Sequence, residues 1–182
     1  MKFHQKLIIV IGLLAVAISG RLLPHLWNMT PIAAVAILAG AKLGWKWGIG
    51  VAVVAMFFGD LIIGFYTPQV MIAVYACLAF SGIIGYLIKK SQKVGMIIGA
   101  SALSTVIFFF VTNYAVWQWS PLYIHNFAGL MTSYIAGLPF FANQILGDMF
   151  FTVALFTVWE LSKLAVERFK LAGLKSQKEK II

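Results

Sequence analysis

The chain has 182 residues, of which 62% are hydrophobic and only 10% are charged, and its mean hydropathy is +0.96. A soluble domain carries about a quarter of charged residues, so this composition excludes an ordinary soluble fold and predicts an all-α integral membrane protein. The net charge of +9 does not indicate a nucleic-acid partner, because the basic residues lie between apolar runs and at the termini.

Six apolar segments follow one another along the chain. They predict a single domain of six transmembrane helices over residues 1–168 and a basic cytoplasmic tail over residues 169–182. The second segment is short for a crossing of ~20 residues, so we expect it to be extended by flanking residues or shielded by its neighbours. The segments run roughly over Leu7–Gly20, Pro31–Ala41, Trp47–Gly64, Val70–Ile88, Val94–Trp117 and Leu138–Leu161.

The first segment has a second interpretation as a secretory signal. It has a basic start at Lys2 and Lys6, an apolar stretch and the small residues Ala15-Val16-Ala17, which together are typical of a cleaved leader. The remaining helices keep the same orientation with or without cleavage.

Charge predicts how the helices are oriented. Thirteen of the fourteen basic residues fall on one side if both termini are cytoplasmic, and only Arg21 falls on the other. This positive-inside bias predicts a multi-pass protein of the cytoplasmic (inner) membrane with both ends inside.

Three connections then face outwards: Arg21–Thr30, Phe65–Gln69 and Gln118 to about Gly137. The last contains the apolar stretch NFAGLMTSYIAG, which we expect to dip into the membrane. The outer polar and aromatic residues are candidate ligand contacts, although the histidines also fit interfacial loops and the aromatics an interface belt. These candidates are His25, Asn28, Trp117, Tyr123 and His125.

Four residues within the segments converge on the outer half of the bundle: Asp60, Cys77, Asn113 and Asp148. An intramembrane carboxylate is costly and indicates function by default. The alternative is structural, since both aspartates follow a glycine that allows close helix approach and cross-helix hydrogen bonds. For Asp60 the structural role and the site role are equally well supported. For Asp148 the structural role is the better supported of the two. Taken alone, Cys77 fits core packing, because free cysteines are commonly buried.

Two stretches, Arg21–Ala41 and Phe108–Phe156, carry further motifs. An Asn-x-x-Pro entry, a Thr-Asn-x-x-x-Trp helix end, a Gly-Leu-Pro-Phe-Phe turn and a Gly-Asp pair occur in that order. With these motifs the chain resembles a bacterial family of membrane transport proteins. That family is similar to the S-components of energy-coupling-factor transporters, six-helix proteins that capture vitamins from outside.

The resemblance implies an uptake protein, closest in function to the solitary cobalamin S-components, which use a membrane cysteine as an axial cobalt ligand. Cys77 would then bind the cobalt of a corrinoid, since a thiolate is a soft donor that a metal can stabilise. Asp60, Asn113 and the outer aromatics would bind the corrin rim. Cobalamin is here a bound substrate rather than an intrinsic cofactor.

No Gly-rich phosphate loop, HExxH or GxSxG sequence appears, so the chain is not predicted to be an enzyme beyond ligand exchange, such as decyanation, at bound cobalt. Two alternatives stay open: uptake of another small vitamin or a nucleobase-like precursor with a structural Cys77, and a non-transporting membrane subunit. The Ala-x-x-x-Ala pattern of S-components that dock on a shared ATPase module is missing from the sequence. An energising ATPase partner is therefore weakly indicated.

Overall fold

The computed structural model describes residues 2–24, 26 and 28–179, with side chains described up to residue 168. In this part of the chain all six predicted apolar segments are α-helices, and a short 3-10 turn at Ile88–Lys90 follows the fourth. The helices are α1 (Phe3–Leu22), α2 (Ile32–Leu43), α3 (Trp45–Ile63), α4 (Pro68–Leu87), α5 (Val94–Trp119) and α6 (Phe127–Glu179).

Length and composition assign most of these helices to a bilayer. Five of them, all but α2, are long and apolar enough to cross a membrane, whose hydrocarbon core is about 30 Å thick. Their outward faces carry large exposed apolar side chains such as Ile8, Phe57 and Leu103. The described chain is therefore an all-α membrane bundle, as the composition predicts.

The short helix α2 lies inside the bundle. All but one of its 12 residues are buried, and it packs against α3 and α4 with further contacts to α1, α5 and α6. A single residue, Gly44, separates α2 from α3, with a φ of +111° that favours glycine. Of the two explanations for its length, shielding by neighbouring helices is the correct one.

Helices α2, α3 and α4 cross at glycines. A Cβ atom on Gly82 would lie 2.5 Å from the carbonyl carbon of Gly48 and 2.8 Å from its Cα, and one on Gly40 would meet the carbonyl oxygen of Gly82. Since the obstructing atoms are backbone, the three helices pack at a distance that only glycine permits.

Basic residues gather at one end of the bundle, named here the lysine end. Lys42 and Lys89 line the same open space there, and the Phe3 ring, 6.1 Å from the Trp47 ring, brings the start of α1 to the same end. Arg21 lies at the opposite end. This separation is the one that the charge pattern predicts, and the assignment of the lysine end to the cytoplasm stays a prediction.

The sequence interpretation was wrong about where α6 begins. The predicted outer connection to Gly137 is short in the structure, and α6 starts at Phe127 and continues through Pro139. Two hydrogen bonds hold this part of α6 against α5: Ser133 Oγ donates to the Asn113 carbonyl (2.8 Å) and Tyr134 OH to the Phe110 carbonyl (3.1 Å). Neighbouring helices of this kind make proline tolerable within a membrane helix. The backbone of α6 also continues past residue 168 to Glu179, into the predicted tail.

Candidate functional site

A cavity of about 300 Å³ opens between α4, α5 and α6 at the end opposite the lysines, and it is named here the main cavity. Aromatic rings from two helices form much of its wall: Phe108 and Phe109 from α5, and Phe140 and Phe141 from α6. The Phe109 and Phe141 ring centroids are 4.8 Å apart. These rings give the main cavity flat apolar surfaces.

Five polar side chains also line the main cavity: Asn28, Thr112, Asn113, Tyr123 and Gln144. They come from the α1–α2 connection, α5, the α5–α6 connection and α6, so four parts of the chain contribute. Such a set of polar groups on apolar walls is characteristic of a small-molecule site.

Local geometry fixes two of these residues. Asn28 has a φ of +62°, a left-handed conformation that asparagine tolerates better than most residues. Asn113 Nδ2 donates to the Phe109 carbonyl (2.8 Å), and its amide occupies the space where Gly137 would carry a Cβ. Gly137 is therefore the residue that lets Asn113 lie between α5 and α6.

A smaller cavity of about 60 Å³ adjoins the main cavity and shares Asn28, Val74, Phe108 and Gln144 with it. Two charged residues, Arg21 and Asp148, line this smaller space. A ligand in the main cavity would therefore have ionisable groups close by.

Arg21 forms an ion pair with Asp60 across α1 and α3. Arg21 Nη2 donates to Asp60 Oδ1, and the hydroxyl of Tyr75 on α4 donates to Asp60 Oδ2 at 2.9 Å. The Asp60 side chain is fully buried. Gly59 leaves room for the guanidinium, because a Cβ there would meet Arg21 Cδ and Nε. Asp60 thus links three helices.

The phenol of Tyr66 lies in the α3–α4 connection, close to this ion pair. Burial and the negative charge of Asp60 together raise the pKa of Tyr66 to about 12, against the opposing effect of Arg21. The group is therefore neutral at physiological pH and can donate a hydrogen bond.

Asp148 is bonded to α5 from deep within α6. Thr105 Oγ1 donates to Asp148 Oδ2 at 2.7 Å, and one turn further along Thr152 Oγ1 bonds Ser101 Oγ at 3.2 Å. These cross-helix hydrogen bonds are the ones that the structural interpretation of Asp148 predicts.

The structure brings together only some of the candidate residues from the sequence. Asn28, Asn113 and Tyr123 line the main cavity. Trp117 and His125 contact each other at the end of α5, with ring centroids 5.7 Å apart, and they line neither cavity. Asp60 is behind Arg21, and His25 lies outside the described residues.

Cys77 is buried on α4, with 7% of its surface exposed, and it lines neither cavity. Its neighbours Val74 and Leu78 on the same helix do line them, so the cysteine lies beside the cavity lining rather than within it. In the described part of the chain, no three His, Cys, Asp or Glu side chains come together as a metal site.

Several cavity residues were not among the sequence candidates, and the polar ones include Thr112, Gln144 and Arg21. Gln144 follows Gly137 by seven residues, which is two helical turns and therefore the same helix face. Arg21 was noted only for its charge, although a lone cation and a lone carboxylate at similar depth indicate a pair.

The fold and the cavity define a class, that of all-α membrane proteins with a polar-lined cavity at one end of the bundle. The chain belongs to a family of unknown function, DUF6580, whose model matches residues 1–170. No curated protein and no solved structure matches the chain.

Proposed function

We propose that this protein is a substrate-binding uptake protein of the bacterial inner membrane that captures a small polar molecule in the main cavity. The observation that carries the proposal is the set of five polar side chains that line an aromatic-walled cavity at the end of the bundle opposite the lysines. If the lysine end is cytoplasmic, as the positive-inside bias predicts, the cavity faces the outside. An S-component-like protein captures its substrate from that side.

The size and chemistry of the main cavity favour a small heteroaromatic substrate. Ligand cavities span about 300–1,000 Å³, and this one, at about 300 Å³, is at the lower limit. Phenylalanine rings stack on a flat ring, and carboxamides such as Asn113 and Gln144 both donate and accept hydrogen bonds. These features support a small vitamin or nucleobase-like precursor, with Cys77 in a packing role.

Filling the main cavity is expected to abolish binding. In Ala136→Phe a ring enters the cavity from an exposed helix position that lines it. The assay is thermal unfolding of purified protein with a panel of nucleobases and water-soluble vitamins. A ligand present at about one hundred times its Kd stabilises the native state by about 2.7 kcal/mol, and this stabilisation is expected in the wild type and not in Ala136→Phe.

Ile135→Phe is the matched control, because Ile135 is the preceding residue, is 66% exposed and lines neither cavity. It is expected to bind like the wild type. If no compound of the panel stabilises the wild type, the uptake proposal fails and a non-transporting membrane subunit becomes the better interpretation.

The corrinoid form of the proposal rests on Cys77. A corrinoid is far larger than the main cavity, so binding it requires α4 and α5 to separate beside Val74 and expose the thiol. The wild type incubated with cyanocobalamin is then expected to retain the corrinoid with a shifted absorption spectrum, whereas Cys77→Ala gives an unshifted spectrum or none. Equal spectra in both proteins would exclude cobalt–thiolate coordination. Ligand exchange at cobalt is the only chemical step that this form of the proposal includes.

A further inference from the structure

A second cavity, an open groove of about 630 Å³, lies between α1 and α6, and it is named here the α1–α6 groove. In the described part of the chain no Cα atom of α1 comes within 8 Å of a Cα atom of α6, and both helices pack against α2. Leu13 and Val16 on α1, Leu38 on α2, and Leu155 and Val158 on α6 line it. The groove is thus an apolar channel open to the bilayer.

The α1–α6 groove has a limited length along the bundle. Its lining on α6 extends from Leu155 to Glu167, which is a rise of about 18 Å. Half of a hydrocarbon core of about 30 Å is about 15 Å. The groove is therefore slightly longer than half of a hydrocarbon core, and its lining ends in Lys163 and Glu167 at the lysine end.

At its polar end the groove joins a basin of about 610 Å³, named here the lysine basin. Trp159 and Lys163 line both spaces. The basin is lined by four lysines, Lys42, Lys89, Lys90 and Lys163, together with Gln92 and Ala41.

Positive charge exceeds negative charge at the lysine basin. Lys42 and Lys163 both bond the carboxylate of Glu160, and Glu167 lies at the groove edge. Lys89 and Lys90 have no described acidic partner, and both are exposed. Four cations thus face two carboxylates among the described side chains.

Trp159 marks the boundary between the apolar and the charged part. Its ring lies beneath the Lys42 ammonium, 5.7 Å from the ring centroid, and its indole Nε1 is buried without a hydrogen-bond acceptor among the described residues.

We propose that the α1–α6 groove and the lysine basin together bind one anionic phospholipid, with an acyl chain in the groove and the phosphate among the lysines. Basic pockets between membrane helices are known sites for anionic headgroups. The site is independent of the main cavity, which lies at the other end of the bundle.

The test uses the full chain in lipid nanodiscs of phosphatidylcholine with a minority of phosphatidylglycerol, followed by native mass spectrometry. The wild type is expected to retain one phosphatidylglycerol. The triple variant Lys89→Gln/Lys90→Gln/Lys163→Gln is expected to retain at least about tenfold less, since each lysine near the surface contributes to the attraction. Lys2→Gln/Lys6→Gln/Lys46→Gln removes the same charge outside the basin and is expected to retain the lipid.

A second variant tests the acyl chain. Gly12 lines the groove and a Cβ there meets nothing within 4 Å, so Gly12→Leu is expected to fold and to occupy part of the groove. It is expected to lose phosphatidylglycerol, whereas Gly99→Leu, at an equally open position on α5, is expected to keep it.

Any of four results would overturn the proposal. The control triple variant loses as much lipid as the basin variant; Gly12→Leu retains lipid like the wild type; or soluble glycerol phosphate alone displaces the lipid. The fourth result is a wild-type dimer that dissociates in the Gly12→Leu variant. A second copy of the chain would then be the occupant of the groove.

Discussion

Replacing Arg21 with methionine is expected to lower the free energy of unfolding by about 3–5 kcal/mol, because it leaves the buried carboxylate of Asp60 without its cation. Asp60 is fully buried, and among the described residues it then keeps only the hydrogen bond from Tyr75. The measurement is unfolding of the purified protein in mixed micelles with increasing SDS.

The double variant Arg21→Met/Asp60→Asn is the informative comparison. The amide keeps an acceptor for Tyr75 and removes the charge, so at least half of the lost stability is expected to return. Lys163→Gln breaks an ion pair within α6, to Glu160, in which both side chains are more than half exposed, and its effect is expected to stay within about 1 kcal/mol. If the single and double variants are equally unstable, the ion pair does not account for the role of Arg21.

The second large effect is expected at the helix crossing. Gly82→Ala places a methyl group 2.5 Å from the carbonyl carbon of Gly48, and these backbone atoms can move away only if α3 and α4 separate. Overpacking typically costs 1–3 kcal/mol, and we expect about 3 kcal/mol or more here because no flexible side chain can yield. The same SDS titration measures it.

Gly99→Ala makes the same chemical change on α5, where a Cβ meets nothing within 4 Å. Alanine is the better helix former, so this variant is expected to be as stable as the wild type or slightly more stable. A Gly82→Ala protein as stable as Gly99→Ala would show that the three glycines do not determine the helix spacing.

The sequence predicts the helices well and the end of the last connection poorly. Apolar runs bounded by lysines locate five helices within a few residues, because hydrophobic length and charge are local properties. Gly137 and Pro139 signal a break in the chain, yet α6 continues through both of them. The packing of α6 against α5 decides the conformation of Gly137 and Pro139. A single sequence does not show that packing.

The candidate site was also only partly predictable, because it depends on packing between helices. Depth along each helix places Asn113 and Asp60 in the same half of the bundle, but only rotation about the helix axis decides which cavity a residue lines. That rotation separates Cys77 from Val74, three positions away, although both lie at similar depth. It depends on the glycine crossings, which fix how α4 meets α2 and α3.

The enclosure of α2 changes which property of its residues matters. In a lipid-facing helix, hydropathy determines which residues are tolerated, so replacing alanine with leucine is a small change there. In α2 the surroundings are other helices, and Ala34, Ala36 and Ala39 have no exposed surface. Added methylene groups have no space to enter at these positions. Although α2 is among the most hydrophobic parts of the chain, volume rather than hydrophobicity limits the residues that it can accept.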